Sequence, residues 1–466
     1  MTGWELTEDT LVPPLLPWKE SLFTVSNGYL GTRGTFEEGI TGETRATFIN
    51  GLFVTPPGEL PLLGAVPDWT RVTITMDGEP LDLGARPPAG YRRALDIRHG
   101  LLERTVLWKG AEGSVVRFRF RRLASMERPH LVALEVVAEA LTDHVDLTMA
   151  TGIDTTVGSP SDPAWRTEEV EPLDRGQLRV GALSVDGSHR LEVATSTWAS
   201  GGEEGIDHIE APEHPRVRVR RSLQPGDVFT LTKFVTYHAD RDPDPKPSLP
   251  AVGASFDAVA AASATAWEER WSSSEIEVDG DPESQLALRF AAWSLAGSVS
   301  STDPGSAAGA KLLSGFGYRH HVFWDTDIFI IPYLTLTRPA AARNHIAYRY
   351  RGLPGARRKA AHYGREGAFF AWESADTGDE VTPEWGSDNG EPVRIWTGEI
   401  EEHIVADIAW AIDHYVDWTG DEGCLLDQGA EIILEGARYW AGRLEDEDDG
   451  GHLRGVIGPD EYHTKV

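Results

Sequence analysis

Ala239-Asp240-Arg241-Asp242-Pro243-Asp244-Pro245-Lys246-Pro247-Ser248-Leu249-Pro250 divides the chain. Four prolines among aspartates can continue neither a central strand nor a helix, because proline lacks the amide donor and its ring clashes with a preceding helical turn. The stretch reads as a linker, and the hydrophobic period differs on its two sides. Before it the period is two. Arg71-Val72-Thr73-Ile74-Thr75-Met76 alternates and meets Asp77-Gly78, a two-residue hairpin signal. Val115 to Arg121, Arg216 to Arg220 and Phe229 to Val235 alternate likewise, while His130 to Ala138 reads as a strand buried on both faces. Many short strands punctuated by Gly, Pro and Asp predict an antiparallel β-sandwich. Its arginines (Arg117, Arg119, Arg121, Arg216, Arg218, Arg220) read as a solvated sheet face.

After the linker the period becomes helical. Phe256 to Trp271 places Trp267 and Trp271 on one face, and Glu283–Val299, Thr337–Tyr350, Glu402–Trp418 and Glu431–Leu444 repeat the pattern, with Gly or Pro breaking the chain between them. The fold class expected is therefore multidomain, β then α. A sandwich domain spans 1–238, a linker with a helix 239–282, and a helical domain 283–466.

The 466 residues carry 43 basic and 74 acidic side chains, a net charge of −31. Such a charge excludes nucleic acid and anionic membrane surfaces as expected partners, since both need basic patches. No run of about 18 apolar residues occurs, so no membrane span is expected. The single cysteine, Cys424, leaves no intrachain disulfide, and the acidic N-terminus Met1 to Asp9 lacks the apolar core of a signal peptide. A cytoplasmic protein is the expectation.

Chemistry gathers in the helical half, which holds ten of the sixteen tryptophans. Trp410, Trp418 and Trp440 lie in helical stripes and read as core. Trp324 in Phe323-Trp324-Asp325-Thr326-Asp327, Trp372 in Ala371-Trp372-Glu373-Ser374 and Trp385 in Pro383-Glu384-Trp385 instead sit beside carboxylates in loop-like stretches. A tryptophan ring covers the C–H face of a sugar while the carboxylate accepts hydrogen bonds from its hydroxyls. Three such pairs point to a sugar pocket rather than to helix-end plugs. Between Glu373 and Glu402 there are ten acids and one base, Arg394, a field that a neutral polyol tolerates. The basic run Arg349, Arg351, Arg357, Arg358, Lys359 reads as helix-end and surface charge.

Near the end, Gly458-Pro459-Asp460-Glu461-Tyr462-His463 opens on a rigid turn that restricts its carboxylates. A carboxylic acid kept protonated by apolar and aromatic neighbours can act as a general acid. Other chemistries lack their motifs. Gly28-Tyr29-Leu30-Gly31-Thr32-Arg33-Gly34 has no dinucleotide spacing, no P-loop, HExxH, CxxC or GxSxG occurs, and adjacent His320 and His321 do not suit a metal pair.

Four stretches together resemble glycoside hydrolase family 65, the family of maltose, trehalose and kojibiose phosphorylases. They are Ser26 to Gly34; Gly317-Tyr318-Arg319-His320-His321-Val322-Phe323-Trp324-Asp325-Thr326-Asp327; Tyr350 to Arg357 with Trp372 to Gly378 and Thr382 to Trp385; and Gly458 to His463. The resemblance implies an N-terminal supersandwich, a helical linker and a partial (α/α)6 barrel, with the family's C-terminal part lying beyond Val466. It implies Glu461 as general acid, and Arg319, Trp324, Asp325, Trp372 and Glu373 as substrate-binding residues. It further implies inverting phosphorolysis of an α-linked glucose disaccharide to β-glucose 1-phosphate, with inorganic phosphate as co-substrate, no cofactor or metal, and a homodimer. An inverting hydrolase of the same family and a sugar-binding fragment without turnover are the alternatives, which the phosphate and base positions past Val466 would separate.

Overall fold

The alternating stretches form strands. In the computed structural model, which describes residues 3–157, 164–174, 176–201, 206–209, 214–242, 246, 248–250, 253–448 and 450–461, a nine-stranded antiparallel sheet runs in the order Glu5–Glu8, Gly90–Asp96, Leu101–Lys109, Val115–Ala124, Leu131–Ala140, Val228–Ala239, Arg190–Ala199, Gln177–Ser184, Trp165–Pro172. A five-stranded sheet orders Ile206–Ile209, Arg216–Leu223, Val145–Gly152, Val72–Met76, Glu79–Pro80. Thr75 pairs with Pro80 and Met76 with Glu79, so Asp77-Gly78 is the two-residue turn expected; both residues have positive φ (54° and 85°), as a primed turn demands. Leu131–Ala140 is buried almost throughout, as a strand in the middle of its sheet should be.

None of the six stripe arginines is buried: Arg117 and Arg220 are exposed and Arg119, Arg121, Arg216 and Arg218 half-buried. Other arginines of the large sheet are buried: Arg122 on the strand of Arg117, Arg104 on the adjacent strand and Arg93 on the strand beyond it. Arg104 donates to Glu37 and Glu38 at 2.7 Å each, so the inner face carries compensated charge.

The residues divide into two compact units. The first comprises 1–50, 64–298 and 313–315, and the second 51–63, 299–312 and 316–466. The helix Pro282–Ala296, placed at the head of the helical domain by sequence, thus belongs to the β unit. Trp293 stacks on Trp267 at 6.1 Å, and Trp271 stacks on Trp267 and donates its indole N–H to Arg98 O at 3.1 Å. This aromatic cluster ties Phe256–Ser274 and Pro282–Ala296 to the loop before Gly100, where any Cβ would meet the Trp267 indole at 2.2 Å. Of the expected linker, residues 243–245, 247, 251 and 252 lie outside the described residues.

The second unit is built on helices Ile331–Thr337, Pro339–His362, Ile404–Thr419 and Ala430–Arg443. Its core is Ile331, Leu334, Ile346, Leu353, Ile404, Ile408, Ile412, Cys424, Ile432 and Tyr439 with their neighbours. Three sequence expectations fail here. The helical stretch expected over Thr337–Tyr350 does not end there: Pro339–His362 runs on through Pro354-Gly355. Gly352 and Gly355 lie so close to Gly378 that a Cβ at Gly355 would come within 2.3 Å of the Gly378 carbonyl carbon; this backbone packing holds the helix across its missing amide donor. Trp410 and Trp418 are 45% and 64% exposed rather than core, because the buried stripe of Ile404–Thr419 is Ile404, Ile408, Ala411, Ile412 and Tyr415. The basic run is mixed: Arg349 and Lys359 are buried and paired with Asp327 and Glu380. Gly355→Ala should destabilise the protein by about 1–3 kcal/mol, since a new methyl meets unyielding backbone; a urea titration reads this as a lower midpoint.

Candidate active site

The two tryptophan–carboxylate pairs are joined by backbone. Val322 and Ser374 form an antiparallel bridge, with N–O distances of 2.9 and 3.1 Å, which sets Phe323-Trp324-Asp325 beside Trp372-Glu373. The Trp324 and Trp372 rings lie 6.4 Å apart at 36°, and Phe323 meets Trp372 edge-on. Arg349, buried on the helix Pro339–His362, clamps both strands of this bridge. It donates Nη2 to Phe323 O at 2.9 Å, Nη1 to Ser374 Oγ at 3.3 Å, and Nε to Asp327 Oδ1 at 3.2 Å. Burial raises the Asp327 carboxyl's proton affinity, and Arg349 opposes it. Glu373 is buried against His321, whose Nδ1 lies 2.7 Å from Glu373 Oε2. The other ring nitrogen donates to Pro61 O at 2.6 Å, so the imidazole is held on both sides. Glu373 N donates to Thr382 Oγ1 at 3.2 Å.

His403 completes the aromatic wall. It stands edge-on to both rings, 4.9 Å from Trp324 and 5.6 Å from Trp372. Nδ1 is 2.5 Å from Asp407 Oδ2, and Nε2 is 3.0 Å from Glu401 Oε1. Burial alone would lower the imidazolium, but these two carboxylates overturn it and raise the group to about 9. As His403 caps the N-terminus of Ile404–Thr419, the helix dipole disfavours a cation there; the carboxylates carry the outcome.

The final loop reaches the same place. Ile457 bridges Glu401 in parallel, with Ile457 N donating to Ile400 O at 3.0 Å, and Gly458-Pro459-Asp460-Glu461 follows directly. Glu461 lies on an exposed turn. Partial desolvation of its carboxyl raises its proton affinity first, then the charge of Asp325; His403 lowers it, and Glu373 raises it again. The structure thus gathers Glu461, Asp325, Glu373 and His403 into one electrostatic neighbourhood beside the tryptophan wall. Trp324, Asp325, Trp372 and Glu373, taken from sequence, all belong to it.

Arg319 and Trp385 do not join it. Tyr318, Arg319 and His320 form a run with φ of 54°, 52° and 63°, a strained turn for residues with side chains. Among the described residues, no hydrogen bond or ion pair ties the Arg319 guanidinium to Trp324, Asp325, Trp372 or Glu373. Trp385 is exposed on the hairpin Trp385–Asp388/Glu391–Arg394, facing the Arg394 guanidinium at 5.7 Å. Tyr462 and His463 lie outside the described residues. Sequence reading missed His403, Glu401, Asp407, His321 and Arg349. The His403/Asp407 spacing, one turn apart on a helix, was the one local signal for the first of these.

In the β unit, ligand atoms of His130, His238 and Asp242 approach within 4.8 Å of one another. His130 Nδ1 faces Tyr237 O at 2.9 Å, and Asp242 Oδ2 accepts from Tyr29 OH and Ala239 N at 2.7 Å each. His130 and Asp242 are thus engaged with protein hydrogen-bond partners, while His238 Nδ1 stands 3.7 Å from Asp242 Oδ2.

A strand-rich unit followed by a helical unit, with tryptophans, carboxylates and a histidine gathered in the second, defines the class by fold: a β unit and an α unit in sequence. Residues 6–277 match the N-terminal domain of glycosyl hydrolase family 65, and residues 289–466 match that family's central catalytic domain. The chain belongs to glycosyl hydrolase family 65. It is 34% identical to kojibiose phosphorylase of Thermoanaerobacter brockii over 99% of this chain and 63% of that protein. It is also 34% identical to kojibiose phosphorylase of Escherichia coli K12, over 96% and 60% respectively. With alpha,alpha-trehalose phosphorylase of T. brockii the identity is 29%, over 96% and 61%. The chain spans about three fifths of the length of these relatives. A solved structure provisionally named a kojibiose phosphorylase, from human microbiome, superposes with a TM-score of 0.88 at 21% identity, covering 100% of this chain and 63% of the other. The fold is thus the family's sandwich followed by (α/α) barrel helices.

Proposed function

We propose that the protein is an inverting glycoside phosphorylase acting on an α-linked glucose disaccharide. The observation that carries this reading is the convergence of Glu461 with Asp325, Glu373 and His403 beside Trp324 and Trp372, held by the Ile457–Ile400 hydrogen bond. The names of the relatives support phosphate as the nucleophile.

In this reading Trp324 and Trp372 cover the apolar face of one glucose unit, and Asp325 and Glu373 accept hydrogen bonds from its hydroxyls. Glu461 gives its proton to the glycosidic oxygen. The C1–O bond breaks with its electron pair going to that oxygen, which leaves as the hydroxyl of a free sugar. A phosphate oxygen attacks C1 from the opposite face, so the α-glucoside becomes β-glucose 1-phosphate. Water activation by a second carboxylate, which inverting hydrolysis needs, is not required, because phosphate is already charged. Inorganic phosphate is the co-substrate, with no metal or organic cofactor. Arg319, which among the described residues makes no hydrogen bond or ion pair to these groups, remains a proposed substrate contact only on the family resemblance. The protein works as a cytoplasmic homodimer with no nucleic-acid partner, consistent with one cysteine and a charge of −31.

The test incubates the protein as its gene encodes it with α-1,1-, α-1,2-, α-1,3- and α-1,4-linked glucose disaccharides, with and without phosphate. One disaccharide should yield β-glucose 1-phosphate strictly in the presence of phosphate. Glucose released equally fast without phosphate would overturn the reading.

A further inference from the structure

We infer that His403 is a positioning residue: clasped between Glu401 and Asp407 and set edge-on against Trp324 and Trp372, it supplies the fixed positive charge that holds Glu461 ready to donate a proton. The inference rests on the reading of Glu461 as the general acid and adds the group that sets its proton affinity.

The pocket has a charge problem. Asp325 and Glu373 both act on Glu461 with the same sign, and each disfavours the carboxylate that Glu461 becomes once it has donated. An acid that holds its proton too tightly is a poor donor. A nearby cation corrects this; among the described residues His403, held at both ring nitrogens and set against Trp324 and Trp372, carries a charge that acts on Glu461 in that direction. Glu401 and Asp407, along its own segment, hold its two ring nitrogens. Glu461, on the final loop, feels the charge of His403 together with those of Asp325, on the segment that continues into Thr326–Ile330, and Glu373, on the bridged strand. Behind them the Asp327–Arg349 pair is coupled to Asp407 and forms the floor of the network.

The geometry leaves the imidazole little freedom. Both ring nitrogens are engaged, at 2.5 and 3.0 Å, and two indoles flank the ring. Glu401, two residues before it, is bridged to Ile457, four residues before Glu461. A shift of His403 therefore moves the wall against which the sugar would stack and the anchor of the loop that carries the acid. A histidine with two carboxylate partners stays charged where an ordinary histidine is neutral, so the site keeps its cation across the neutral range.

The sign follows from these charges. Removing the cation raises the proton affinity of Glu461, so the alkaline limb of the pH–rate profile, where Glu461 loses its proton, moves to higher pH. His403→Gln should lower kcat and move that limb upward by about one pH unit or more. His403→Lys restores a charge without the ring that flanks Trp324 and Trp372, and should return the limb to its original position while raising KM. A lower rate with an unmoved limb in His403→Gln, or an equal shift in His403→Lys, would overturn the inference. An independent measurement needs no turnover and no folded variant. In NMR of the unsubstituted protein with labelled histidine, the His403 imidazole should remain protonated through pH 8. A neutral ring at pH 7 would overturn the inference whether or not the protein proves to be a phosphorylase, whereas failure to consume any disaccharide would remove the functional reading and leave this measurement standing.

Discussion

Glu461→Gln should abolish disaccharide cleavage while leaving sugar binding nearly intact. The amide keeps the size of the side chain and can still donate a hydrogen bond to the glycosidic oxygen, but it has no proton to transfer. Loss of a general acid lowers kcat by about 10²–10⁴-fold. Because Trp324, Trp372, Asp325 and Glu373 are untouched, the dissociation constant for the disaccharide should change by less than a few fold. The pH profile carries a second signature. Glu461 must be protonated to act, and the desolvation and negative neighbours that raise its carboxyl favour the acid form. On the proposed reading, the unsubstituted protein should therefore lose activity as pH rises through the Glu461 pKa, and the residual activity of the variant should show no such limb. Measured rates over pH 5–9 for both proteins decide this; a variant with native kcat would remove Glu461 from its role.

Arg349→Met should be the most destabilising single change near the site. Met approximates the volume of the arginine stem but leaves Asp327 as a buried carboxylate without its cation, and deprives Phe323 O and Ser374 Oγ of a donor. Breaking a buried ion pair on one side costs about 3–5 kcal/mol. For a unit of this size that corresponds to a fall in Tm on the order of 10 °C. Replacing both partners, in an Arg349→Met/Asp327→Leu protein, removes the unpaired charge and should recover most of the lost stability. It should not recover activity, because the clamp between the Trp324 and Trp372 strands is still missing. Equal Tm values for the native and Arg349→Met proteins in differential scanning calorimetry would contradict this account of the clamp.

What could be read from the sequence follows the range of the forces involved. Strands such as Leu101–Lys109 and Val115–Ala124 declare themselves through alternation, and Asp77-Gly78 through its positive φ, because both signals are local. The loop motifs Phe323 to Asp327 and Ala371 to Ser374 were legible because a tryptophan beside a carboxylate in a loop is unusual chemistry. Pro339–His362 runs past its expected end because the contact that carries the helix across Pro354-Gly355 is with Gly378, 23 positions away in sequence and invisible to periodicity. Trp410 and Trp418 misled because Ile404–Thr419 is apolar on more than one side, and with His414 they form an exposed aromatic row of their own, at 5.0 and 5.7 Å. Arg349 looked like surface charge because its partner, Asp327, lies on a different helix. His403 was silent for the same reason: its meaning depends on Trp324, Trp372 and Glu461, which only the folded chain brings together.

The central claim is that Glu461 stands over the bond between two sugars, one of which rests on the Trp324–Trp372 wall. A crystal structure of the Glu461→Gln protein soaked with the disaccharide it recognises tests this most directly. One glucose ring should lie against Trp324 and Trp372 with its hydroxyls on Asp325 and Glu373, and the side chain at position 461 should sit within hydrogen-bond distance of the glycosidic oxygen. A disaccharide bound elsewhere, or a residue 461 turned into solvent with the sugar in place, would contradict it.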